Sequence, residues 1–405
     1  RRSARLLEIG NHPEDAFGLY VRSEDWPAAA RLIRDEAPDL IRQGRWQTAR
    51  SWIEQLPPDV LGSDPWLAYW AGACAVAVDP KGARGALEHA YTGLAAQHDA
   101  LGQVMAVSLI METYYFEWTR FAPLDRWIDV LAGLLDGGMA FPSAAIELRA
   151  RSSLVAALMY RQPQHPLLRP ESARSLALLE ADVPMGARVT AGIILVNCCC
   201  FQGEFDCAER VLGVLQPHLS HPEMTPLNQV WWQIAVAYYQ LLRADQDGAA
   251  ESLNRSEAIA HQHGLTFIVP TVLTQRAFLA LSFGDLACAG ALLHKLKGAI
   301  NPVRRMDAAL FHSAQSWYEL QRGDLAAGMK HAQTAVDNAF EAGSVTIQSY
   351  CLLGRAHLLL ELGEAAHALA SARNLRLRGA GTSCLLAYDA LLIEAHASLQ
   401  TGDRE

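Results

Sequence analysis

A two-residue turn that returns every 39 to 41 residues limits this chain more than any other feature. It stands at Gly203-Glu204, Ala244-Asp245, Gly284-Asp285, Gly323-Asp324, Gly363-Glu364 and Gly402-Asp403. Five residues after each turn but the last comes Ala or Gly: Ala208, Ala249, Ala289, Gly328 and Ala368. Seven residues before each turn comes another small or smallish side chain: Val196, Ala237, Ala277, Ser316, Ala356 and Ala395. Two antiparallel helices approach closely only where side chains are small. The turn favours Gly because a helix C-terminus commonly needs positive φ, and the acid after it suits the positive end of the next helix. A fixed period means one helical hairpin repeated. No such hairpin buries its own apolar face, so neighbours must stack.

The pattern continues toward the N-terminus in weaker form. Gly44 is flanked by Ala37 and Ala49, and Val78 by Ala71 and Ala83, at the same two offsets. Register then passes through Arg120 and Gln162, where the small positions become Thr113, Asp125, Val155 and Leu167. Sustained β-branched alternation is absent, and so is an Asn-Gly hairpin turn. The expectation is an all-α chain of tetratricopeptide-like helical hairpins stacked in a right-handed superhelix. A single solenoid of about nine hairpins would cover 1–405. It divides into an opening segment over 1–100, less regular hairpins over 101–185, and regular repeats of about 40 residues over 186–405. The stretch Arg161-Gln162-Pro163-Gln164-His165-Pro166 and the segment after Asn301 read as loops between helices.

Charge and cysteine use narrow the function classes. With 51% hydrophobic residues the 405-residue chain has ample core material, and its net charge of −9 argues against a dedicated nucleic-acid or anionic-membrane surface. None of the eight cysteines forms a C-x-x-C pair or sits at zinc spacing, and Cys198-Cys199-Cys200 lie in an apolar run as small hydrophobes. A reduced, cytoplasmic setting is expected. Arg1-Arg2-Ser3-Ala4-Arg5 has no apolar stretch behind it, so no secretory signal is evident. The most apolar run, Val189 to Phe201, is short for a membrane span and contains Asn197.

The first hundred residues carry a more specific pattern. It begins His12-Pro13-Glu14-Asp15-Ala16 and continues through Asp25-Trp26-Pro27. Next comes Gly44-Arg45-Trp46-Gln47-Thr48-Ala49-Arg50-Ser51-Trp52-Ile53-Glu54-Gln55-Leu56-Pro57, then Asp64-Pro65-Trp66-Leu67. This resembles the segment that follows the ATPase and winged-helix domains in MalT-like, LuxR-family transcriptional activators, with Ala49 where that family usually has Leu. The resemblance implies a repeat domain that binds an inducer and controls self-assembly. In such activators an ATPase precedes the repeats and a DNA-binding helix-turn-helix follows. No G-x-x-x-x-G-K-[ST] occurs here, and no basic recognition helix closes the sequence. The expectation is therefore an excised middle portion of a larger regulator, reaching DNA only through a module absent from this chain.

No protease, hydrolase, dinucleotide or kinase signature is present, so no catalytic residues, metal ligands or cofactor are expected. His261-Gln262-His263 suits a helix C-terminus, and the paired carboxylates suit solvated helix faces. The informative residues are those of the first helix of each hairpin, which faces the concave side. Positions 13, 10 and 6 before the turns give Trp231, Tyr238, Thr274, Phe278, Trp317, Tyr350 and His357, with Asn197 from the Gly203 hairpin. Eight before the turn run Arg276, Gln315 and Arg355. Aromatic faces beside polar donors suit a sugar or another small polar metabolite, because pyranose C–H faces stack on rings and hydroxyls take hydrogen bonds from Arg or Gln. Packing between hairpins would explain the same aromatics, and ion pairs to a neighbouring hairpin the same arginines.

These features lead to a signal-sensing and self-association domain of a bacterial MalT-like regulator, non-enzymatic, binding an inducer in its groove. The alternative is a scaffold that holds a peptide or partner protein.

Overall fold

A computed structural model describes residues 2–218, 221, 224–301, 303–376 and 384–402. Asp403 of the final turn lies outside them. Twenty-two α-helices and no strand occur among the described residues. In chain order they are α1 (Arg2–Ile9), α2 (Pro13–Arg22), α3 (Trp26–Arg42), α4 (Trp46–Glu54), α5 (Pro58–Ser63), α6 (Pro65–Ala75), α7 (Pro80–Ala96), α8 (Ala100–Glu117), α9 (Leu124–Asp136), α10 (Ala144–Arg161) and α11 (Leu168–Leu179). There follow α12 (Met185–Gln202), α13 (Phe205–Leu215), α14 (Pro226–Leu242), α15 (Gln246–Gln262), α16 (Val269–Ser282), α17 (Leu286–Ala299), α18 (Arg305–Arg322), α19 (Leu325–Ala342), α20 (Val345–Glu361), α21 (Ala365–Leu375) and α22 (Cys384–Thr401). The chain is thus all-α, built of tetratricopeptide-like hairpins.

The recurring turn has the backbone its sequence demands. φ is +74° at Gly203, +75° at Gly284, +81° at Gly323, +77° at Gly363 and +72° at Gly402. Ala244 holds the same left-handed place at +58°. The acid after the turn does more than meet the dipole where it is Asp. Asp245, Asp285 and Asp324 each accept a hydrogen bond from the N–H three residues on, at 3.0 Å. Glu204 and Glu364, one methylene longer, make no such cap. Every small position over 196–368 is buried, from Val196 and Ala208 to Ala356 and Ala368. Longer connections replace the tight turn over 118–123 and 162–167, where the small positions are lost.

Packing divides the described chain into two compact units, one of residues 1–117 and 129–146, the other of 118–128 and 147–405. The first buries Ile33, Leu87 and Leu94 fully. Trp52 stacks on Phe17 with ring centroids 4.7 Å apart. The residues that carry the family resemblance are largely structural: Gly44 adopts φ +77°, while Ala49, Trp52, Ile53 and Leu56 are buried. Arg84 lies over the Tyr114 ring at 3.7 Å, donates to Thr113 at 2.8 Å and pairs with Glu117.

In the second unit each core cluster joins one hairpin to the first helix of the next: α14, α15 and α16, then α16, α17 and α18, then α20, α21 and α22. That is the stacking a lone hairpin cannot supply. The first helices α12, α14, α16, α18, α20 and α22 touch in succession and form an inner layer, and α22 also meets α12. The helix α12 outruns its apolar run and reaches the length and apolarity of a membrane span, yet 56% of it is buried in the unit. A Cβ built on its Gly192 would lie 2.1 Å from Leu215 Cδ1, so α13 seats directly on this helix backbone.

Candidate functional site

The inner layer of the second unit presents an aromatic wall. Phe278 of α16 meets Trp317 of α18 at 6.4 Å and Tyr350 of α20 edge-on at 5.8 Å. Tyr238 of α14 leans on Phe201 of α12 at 5.6 Å. Three sequence-predicted residues are therefore brought together directly, and Tyr238 lies close by. Tyr160, Tyr238 and Tyr350 are half-buried, yet burial lifts each phenol above its ordinary range, and Tyr238 also feels Tyr160 and Tyr350 as neighbouring ionisable groups.

Polar groups join this wall from three helices, α18, α20 and α22. The Ser313 hydroxyl hydrogen-bonds Tyr350. His357 of α20 and Asp389 of α22 are exposed, yet they titrate as enclosed groups do: desolvation lowers the imidazole and raises the carboxyl. Each opposes the other's shift through its charge. Such a pair offers one donor and one acceptor to a polar ligand.

The connection over 118–123 packs its rings against Tyr160. Trp118, Phe121 and Tyr160 form a triangle of rings with centroids 5.4 to 5.5 Å apart. Trp118 sits at φ +58°, a costly place for a bulky residue. There its carbonyl accepts from the Met306 N–H at 3.3 Å and its side chain hydrogen-bonds the buried Asp307, which Arg304 also holds at 2.7 Å.

The remaining expected site residues have other neighbours. Arg276 pairs with Glu257 of α15, which Lys295 of α17 meets at 3.3 Å. Arg355 donates to Gln333 of α19 at 2.9 Å, and Gln315 to Glu319 at 2.8 Å. The reason is geometric. Positions eight and six before a turn are two residues apart, and i and i+2 point to opposite sides of a helix. The polar column thus flanks the second helices while the aromatic column faces inward. Trp231 is half-buried against the α14–α16 core, Thr274 donates to the Pro270 carbonyl at 2.8 Å, and the half-buried Asn197 donates to Ile193 at 2.9 Å.

Sequence reasoning passed over Tyr160, Phe201 and Asp389, while the aromatic run from Met111 to Trp118 reads as core or as groove lining. Asp389 stands 13 residues before Gly402, so the repeat register contained it. Trp118 comes from a connection and Tyr160 from the last turn of α10, both where the repeat is least regular. No group of three or more His, Cys, Asp or Glu among the described residues could hold a metal ion.

No protein-family model matches the sequence, and no curated protein is a significant match. Solved structures do share its fold. A human IFIT1 dimer with m7Gppp-AAAA aligns at TM-score 0.50 and 14% identity, covering 99% of this chain and 89% of that one. A signal transduction ATPase with numerous domains and a tetratricopeptide repeat sensor, from Pyrococcus horikoshii, aligns at TM-score 0.42 and 10% identity. That alignment covers 89% of this chain and spans 50% of the length of the ATPase chain. These likenesses concern the fold of helical repeats and nothing finer.

Proposed function

We propose that this chain is the sensor domain of a MalT-like, LuxR-family transcriptional regulator, cytoplasmic and without catalysis of its own. Its inducer is a small polar metabolite with an apolar face, a sugar among them, bound on the inner wall of the unit formed by 118–128 and 147–405. Regulation of DNA belongs to a module outside these residues. What supports the reading most is one observation: the half-buried Tyr160, Tyr238 and Tyr350 lie near one another, with the exposed Asp389 beside Tyr350 and His357 beside Asp389. Rings stack on C–H faces while an imidazole and a carboxylate fix orientation. The pattern over residues 12–67 supports the regulator class.

Isothermal calorimetry against a metabolite library, with Trp317 fluorescence as a local reporter, tests it. The expected result is a binder whose affinity falls at least about tenfold in Tyr350→Ala, with a change in self-association on binding. A broad library with no binder and no change in assembly would overturn it.

One observation favours a scaffold for a peptide as the second reading. A recess of about 590 Å³ lies between α19, α20 and α21, lined by Met329, Val336, Phe340, Leu352 and Leu359. Gln333, Arg355 and Asn374 stand at its polar side. Amide and guanidinium clamps around an apolar floor suit an extended peptide backbone. Loss of peptide capture in Asn374→Ala, with metabolite binding intact, would favour this second site.

A further inference from the structure

The hairpin made by α12 and α13 holds two thiols face to face. Cys199 sits in the last turn of α12 and Cys207 in the first turn of α13, four residues on either side of Gly203. Their sulfurs are 2.6 Å apart, with the Cys199 S–H directed at the Cys207 sulfur. The repeat itself dictates this meeting. Gln240 and Gly248 hold the same two places in the next hairpin, and a Cβ built on Gly248 would come 2.7 Å from Gln240 Nε2. Only the Gly203 hairpin puts cysteine at both.

We infer that Cys199 and Cys207 form a redox-responsive dithiol, which a peroxide converts to a disulfide that clamps this hairpin. The two sulfurs have different roles. Cys207 is half-buried and within reach of solvent, while Cys199 is buried. The hydrogen bond from Cys199 holds the Cys207 thiol below its ordinary range, helped by the Arg210 charge, whereas burial pushes Cys198 and Cys200 up to about 12. Cys198 is further engaged with the Ser172 hydroxyl at 3.6 Å. The nucleophile is therefore Cys207 and the resolving group Cys199.

The chemistry closes with hydrogen peroxide as oxidant. The Cys207 thiolate attacks one peroxide oxygen, the O–O bond breaks, and the departing hydroxide takes up a proton as water. This leaves Cys207 as a sulfenic acid. The Cys199 sulfur then displaces the hydroxyl, its own proton leaving with that oxygen as a second water, and the S–S bond forms. Two thiols and one peroxide become one disulfide and two waters. A small dithiol reverses the step. Phe201, two residues beyond Cys199, packs on Tyr238, so the clamp sits beside the inner wall.

The test exposes the whole chain to graded hydrogen peroxide, blocks remaining thiols with N-ethylmaleimide, and digests with a protease that cuts after Glu204, between the two cysteines. The expected product joins the Cys199 and Cys207 peptides, forms at least about tenfold faster than oxidation of the exposed Cys288, and is released by dithiothreitol. Cys199→Ser should abolish the link and leave Cys207 trappable by dimedone, while Cys198→Ser and Cys200→Ser keep it. The wild-type comparison with Cys288 stands whether or not the buried substitution folds. Oxidation of Cys207 no faster than Cys288 would overturn the inference, as would a link that survives Cys199→Ser.

Discussion

Arg161 grips the carboxylate of Asp125 with two parallel hydrogen bonds, of 2.9 Å from Nε and 2.7 Å from Nη2. Its third nitrogen donates to the Gly343 carbonyl at 2.9 Å. One guanidinium thus ties the first turn of α9 to the loop between α19 and α20. The Phe121 N–H reinforces the tie by donating to Ala342 at 2.6 Å, and the Ser344 hydroxyl by donating to Tyr160 at 3.2 Å. Arg161→Ala should cost about 2 kcal/mol, since it removes a charge-assisted fork and leaves a half-buried carbonyl unmet. Arg161→Lys should recover less than half of that, because an ammonium lacks the planar fork. Urea unfolding of the two variants checks both values.

Gly343 stands where the same tie leaves no space. Its φ is +74°, and a Cβ there would lie 3.2 Å from the Ala122 nitrogen and 3.3 Å from Ala122 Cβ. Gly323 has φ +81° but nothing within 4 Å. Both alanine variants suffer left-handed strain of about 1–2 kcal/mol, and Gly343→Ala suffers crowding in addition. Gly343→Ala should therefore unfold at a lower temperature than Gly323→Ala. Equal melting temperatures would refute the close approach.

Ala244 is the one alanine in the series of turns, at φ +58°. Ala244→Gly should stabilise the protein by about 0.5–1 kcal/mol, the strain relieved less the added freedom of the unfolded chain. Differential scanning calorimetry should show a higher melting temperature. A lower one would mean that the methyl group packs to more effect than the backbone strains.

His312 of α18 and His331 of α19 stack with ring centroids 5.1 Å apart and Nδ1 atoms 2.9 Å apart. Burial and the neighbouring imidazole push His312 down to about 4. Burial lowers His331 too, with Lys330 and Lys297 acting in the same direction and Glu319 against it. A depressed imidazole stays neutral in the folded chain where the unfolded chain already takes a proton. Its contribution is complete above the unfolded value of about 6.5 and is lost as pH falls toward the folded value. The loss should be on the order of 2–3 kcal/mol for His312, and His312→Asn should flatten the fall between about pH 6.5 and 5. Chemical denaturation at stepped pH measures the slope. An unchanged slope in His312→Asn would assign the dependence to other groups.

The repeat was legible at the level of single residues. The turn glycines, the asparagine-sized Asp caps and the small positions act within one hairpin, where chain neighbours decide the geometry. The same register carried the aromatic column, because Tyr238, Phe278 and Trp317 share one face of successive first helices. The polar column of Arg276 and Arg355 lay in the same register. Its partners on α15 and α19 followed from the two-residue offset, which turns a side chain to the far side of its helix.

What the amino-acid order determined by itself is therefore local: where each helix stops, which backbones touch, and which face of each first helix is aromatic. What only the tertiary structure decided is long-range. Arg161 meets Gly343 across 182 residues, and Tyr160 comes close to Tyr238 from the end of α10, where the repeat is least regular. No local pattern encodes such meetings. They depend on small rotations between stacked hairpins that accumulate along the second unit, each set by how its own side chains interlock.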